Sequence, residues 1–99
     1  MFEIESVEEL WDFIAYVLLY APDNFPYEDF LADNQQMTLN RAFQMLHTGV
    51  VTAYPDVEFA DKHAELRSIL DRSFMAYKNG DEVVGSALLN TFEGQIFKR

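Results

Sequence analysis

Hydrophobic positions along this chain recur at the 3.6-residue spacing of helices rather than at the spacing of two that marks strands. Between residues 7 and 20, Val7, Leu10, Trp11, Ile14 and Leu18 fall on one stripe. Glu9, Asp12, Tyr16 and Tyr20 fall on the opposite face. Ser6 with Glu9 has the pattern of a capping box, where each side chain takes up a free backbone N–H at the helix start. Pro22 limits the other end, because the residue before a proline is pushed out of the helical region.

Residues 23–34 read as a loop with one short helix. Pro26 would sit in its first turn, where a missing N–H is harmless, and Glu28 and Asp29 would favour the positive end of the helix dipole. A longer helix is expected over residues 38–54, capped by Thr38. Its stripe is Leu39, Phe43, Leu46, Val50 and Tyr54, with Arg41, Gln44, Thr48 and Thr52 outside. Gly49 weakens it by about 1 kcal/mol against alanine and marks an earlier place to stop; Pro55 ends it otherwise.

Over residues 57–78, Phe59, Leu66, Leu70, Ser73 and Tyr77 line up, flanked by Ile69 and Phe74. Asp61, Glu65, Ser68 and Arg72 face away, and Glu58 with Lys62 makes a well-oriented i,i+4 pair. Asn79-Gly80 stops this helix. Asp81 caps a last one over residues 82–93, with Val84, Ala87, Leu88, Thr91 and Phe92 on one face. Residues 94–99 are left unassigned. Asn79-Gly80 is also a hairpin signal, but the 3.6 repeat of its flanks favours a helical turn over a hairpin across residues 73–86. These elements predict an all-α fold: a small antiparallel bundle of four to five helices, one domain over residues 1–99.

Composition narrows the picture. Ninety-nine residues, 49% of them hydrophobic, build one modest core and argue against disorder. Cysteine is absent, which excludes disulfides and thiolate chemistry and fits a reducing cytoplasm. No basic-then-apolar leader is seen. The longest apolar run, residues 13–21, is far short of the roughly 20 residues that a membrane-spanning helix needs.

Charge changes the picture most. Seventeen acids against seven bases give a net charge of −10. Nine of the acids (Glu3, Glu5, Glu8, Glu9, Asp12, Asp23, Glu28, Asp29 and Asp33) precede Arg41, the first base. Such a one-sign field steers basic partners toward the chain. It disfavours phosphate contacts with nucleic acid and approach to anionic lipid.

Candidate chemistry is sparse. His47 and His63 are the only histidines and fall on different helices. Asp61 and Glu65, at i±2 from His63, do not share its face. No nucleophile motif, phosphate loop or metal-ligand spacing appears, so no catalytic residue, metal or cofactor is assigned. The chain is expected not to be an enzyme.

What remains is an acidic–aromatic surface: Glu9, Asp12, Tyr16 and Tyr20, followed by Asp23, Tyr27, Glu28, Asp29 and Asp33, with Phe25 and Phe30 interleaved. Tyrosines are common anchors at interfaces. The competing reading packs Tyr16 and Tyr20 against a second helix and uses Phe25 and Phe30 to plug the core. On composition and size, an acidic module that docks onto a basic protein is expected, most concretely a bacterial toxin-immunity protein. The alternatives are a homo-oligomeric helical domain of structural or regulatory role and, third, a small enzyme using carboxylates.

Overall fold

The computed structural model of the chain describes residues 4–97. Four helices, α1 (Val7–Tyr20), α2 (Leu39–Ala53), α3 (Ala60–Lys78) and α4 (Glu82–Phe97), pack around one apolar cluster, and no strand occurs among the described residues. The chain is therefore an all-α helical bundle.

The boundaries follow local chemistry. At α1, the Glu9 N–H donates to Ser6 Oγ at 3.1 Å and the Glu5 N–H donates to Glu9 Oε1 at 3.1 Å. At α2, Thr38 Oγ1 accepts from the Arg41 N–H. At the end of α3, Gly80 takes φ +83°, the Asp81 N–H donates to Ala76 O at 2.8 Å and the Gly80 N–H donates to Tyr77 O at 3.1 Å. That is a Schellman turn, so Asn79-Gly80 links two helices and the hairpin does not form. Asp81 Oδ1 then accepts from the Val84 N–H at the start of α4.

Three expectations are corrected. No helix starts at Pro26; residues 24–32 are irregular, and the one helical turn before α2 is a 3₁₀ turn at Asp33–Gln35. The segment from Val57 begins as a 3₁₀ turn, Val57–Phe59, before α3. The Glu58–Lys62 pair is not made, because Lys62 Nζ donates instead to Gln95 Oε1 at 2.7 Å. That bond draws on α4 continuing past residue 93: residues 94–97 are helical, and of the unassigned tail only 98 and 99 lie outside the described residues.

The buried faces are also rotated. In α1 the buried residues are Leu10, Phe13, Ile14 and Val17, while Val7 is exposed. In α4 they are Gly85, Leu89 and Phe92, and Val84, Ala87 and Thr91 face solvent. In α4 the reason lies in a glycine. A Cβ at Gly85 would sit 2.9 Å from the Tyr77 ring, and one at Gly49 would sit 2.5 Å from Leu10 Cδ1. Both glycines mark where helices cross closely, and a hydrophobic pattern does not count them. Ser73, fully buried, donates from Oγ to Gly85 O at 2.7 Å and fixes α3 against α4.

Candidate functional site: an acidic aromatic surface

The α1–α2 connection is long and holds only the 3₁₀ turn Asp33–Gln35, yet it is fixed at many points. Gln36 is its hub. Its Oε1 accepts from the Glu28 N–H at 2.8 Å, and its Nε2 donates to Glu28 O at 2.8 Å and Leu31 O at 3.0 Å. Arg41 reaches back from the first turn of α2, donating through Nη1 to Gln36 O at 3.2 Å and through Nη2 to Asn34 O at 2.8 Å. Buried Leu31 and Met37 anchor the same stretch from below. The first base of the chain thus serves backbone carbonyls of the acidic loop, leaving its carboxylates unneutralised by Arg41.

On this frame the loop displays large apolar groups. Tyr27 and Phe30 are 64% and 71% exposed, and Leu19, in the last turn of α1 just before the loop, is 70% exposed. Tyr27 is oriented by its hydroxyl, which donates to Asp33 Oδ1 at 2.9 Å. Asp23 and Asp29 are exposed and Glu28 is half-buried.

The structure splits the nine-residue surface expected from sequence. Tyr16 and Tyr20 flank the buried face of α1 rather than opposing it. Tyr16 packs on Phe13, Tyr20 and Phe25, with ring centroids 5.6, 5.1 and 5.7 Å away, and contributes to the core. Burial, then the negative fields of Glu28 and Tyr20, pushes the Tyr16 hydroxyl above the usual tyrosine range. Glu9 is engaged in the helix cap, where Ser6 Oγ lies 3.3 Å from its Oε1. Asp12, one helical turn before Tyr16, lines instead a groove with Val7, Glu8, Trp11 and Phe97. Brought together on the loop are Tyr27 and Asp33, with Glu28 fixed by Gln36; Tyr20 marks its junction with α1. Leu19 was assigned no role in the sequence, and Gln36 and Arg41 carry no motif that would single them out.

Elsewhere, His47 Nε2 lies 3.2 Å from Asp71 Oδ1 over an open hollow of about 210 Å³, lined also by Asn40, Phe43, Gln44 and Phe74. A histidine–carboxylate pair needs a nucleophile or a bound water to do hydrolytic work, and this lining supplies no hydroxyl. The His63 ring meets the Tyr54 carbonyl. Among the described residues no group of three or more histidine, aspartate or glutamate side chains converges as a metal site, and no helix is long and apolar enough to cross a membrane.

No protein-family model matches the sequence, and no curated protein or solved structure is significantly similar to it.

Proposed function

We propose that this chain is an acidic protein-binding module that docks onto a basic partner through the 19–33 surface, an immunity protein for a basic toxin being the most concrete form. One observation carries this reading. Tyr27 and Phe30 stand exposed on a hydrogen-bonded loop, and Leu19 on the last turn of the helix that leads into it, in a stretch that holds acids and no base. Exposed apolar groups rimmed by one sign of charge suit a two-stage encounter, in which the field sets the association rate and the buried anchors set residence time. A loop already pinned by Gln36 and Arg41 loses little freedom on binding, which favours affinity. Self-association through the same face is disfavoured, because a two-fold contact would set Asp23, Glu28 and Asp29 against their own copies.

The test is association kinetics between the chain and the basic products of the genes neighbouring its own. Association should slow with added salt and in the variant Asp23→Asn, Glu28→Gln, Asp29→Asn. Dissociation should quicken in Phe30→Ala. Binding that ignores salt and the triple variant, or a dimer of the chain that dissociates in Phe30→Ala, would retire the proposal.

A further inference from the structure

In the first turns of α1, the side chains of Val7, Glu8, Trp11 and Asp12 line an open groove with Phe97 of α4, about 270 Å³ in volume. Its floor is aromatic: the Trp11 and Phe97 rings meet edge to face, centroids 4.7 Å apart at 83°. Its rim is acidic. Glu8 and Asp12 stand one helical turn apart, a like-charge i,i+4 arrangement that weakens an isolated helix. Both are exposed, and among the described residues neither takes an ion-pair partner.

We infer that this groove seats one arginine or lysine side chain of a partner protein. The inference rests on the reading of the chain as a module for a basic protein, and adds a second contact outside the loop surface. The chemistry is specific in three respects. The long alkyl stem of either residue packs on apolar walls while its head stays at a wet rim. A guanidinium or ammonium is drawn to aromatic rings. Two carboxylates then pair with the head, bidentately for arginine. An apolar side chain would instead strip water from Glu8 and Asp12 without return. A divalent metal would find only two carboxylates, too few for a hard cation's six or more oxygens. The acid-only charge of residues 1–40 excludes a phosphate ligand and complements a cationic one.

Trp11 is the only tryptophan in the chain, so its fluorescence reports the groove directly. The full chain is titrated with N-acetyl-arginine amide, the lysine equivalent, and the citrulline equivalent, which keeps arginine's shape without its charge. Arginine and lysine should shift the emission saturably in the millimolar range, and citrulline should bind at least about fivefold more weakly, the scale of losing two exposed ion pairs. Raising salt from about 0.01 M to about 1 M, which shortens screening from about 30 Å to about 3 Å, should abolish the preference. Glu8→Gln with Asp12→Asn should weaken arginine by about five- to tenfold, whereas Asp61→Asn with Glu65→Gln on α3 should not. Equal binding of citrulline, or unchanged binding by the Glu8/Asp12 variant, overturns the inference. So does binding that appears only after Lys98→Gln and Arg99→Gln, which would assign the groove to the chain's own terminus. A groove blind to arginine beside salt-sensitive partner association removes the groove alone. An arginine-binding groove beside partner association that ignores the loop variant removes the loop surface alone.

Discussion

Gly49 and Leu10 share one point of the α1–α2 crossing: a Cβ on residue 49 would lie 2.5 Å from Leu10 Cδ1, and Leu10 is fully buried. Gly49→Ala adds about 1 kcal/mol of helix propensity but overpacks a filled core, which typically costs about 1–3 kcal/mol. The net expectation is a loss of about 1 kcal/mol by urea unfolding. In a Leu10→Ala background the same change should become neutral or stabilising, because the obstructing atom is gone. A double-mutant cycle measures that reversal.

Tyr77 is buried, and among the described residues its hydroxyl has no hydrogen-bond partner. Removing an unsatisfied buried hydroxyl removes its desolvation penalty, so Tyr77→Phe should stabilise the chain by about 1–2 kcal/mol at neutral pH. Loss of stability in Tyr77→Phe would show that the hydroxyl is satisfied in solution.

The same tyrosine governs alkaline behaviour. Burial, then the field of Glu82, raises its pKa above the usual value of about 10. The unfolded chain therefore gives up this proton first. Ionisation costs the folded chain nothing below about pH 10, and stability is lost relative to the neutral-tyrosine state as pH rises toward and through the raised folded value. Tyr16, shifted the same way by burial and then by Glu28 and Tyr20, adds to the decline. Urea midpoints should fall as pH rises above about 10, and less steeply in Tyr77→Phe.

Gln36→Ala removes three hydrogen bonds, to the Glu28 N–H, Glu28 O and Leu31 O. Global stability should fall by about 1–2 kcal/mol. The sharper readout is amide exchange: the Glu28 N–H should lose protection first, while amides of α3 keep theirs.

Tyr16→Ala and Tyr27→Ala should part company. Tyr16 packs on three aromatic rings, so its truncation should destabilise by about 3 kcal/mol. Tyr27 is mostly exposed and its loss should change stability by less than about 1 kcal/mol. A Tyr16→Ala chain that melts like wild type would return Tyr16 to the surface.

Much of the bundle was legible because caps are local. Ser6, Thr38 and Asp81 each sit beside the amide they satisfy, and Gly80 alone dictates its turn. The faces were less legible. Leu10 and Gly49, or Tyr77 and Gly85, are partners only once helices cross, and a glycine contributes nothing to a hydrophobic stripe. The site divided likewise. Its charge and exposed aromatics were visible in composition, but Tyr16 read as surface because it borders the buried arc at Phe13. The loop's order was invisible, since Gln36 and Arg41 act on main-chain carbonyls five to eight residues away, contacts that no spacing rule encodes.

The Trp11–Phe97 contact joins the first helix to the last and so is a late event in assembly. Closing a chain segment of that length is entropically costlier by about 2 kcal/mol than closing the tight α3–α4 turn. Helices α3 and α4, clasped by Ser73 and Gly85, can therefore nucleate first, with α1 annealing onto them afterwards. The acidic first helix is then the part of the molecule organised last, and the part a nascent chain exposes longest before its own core claims it.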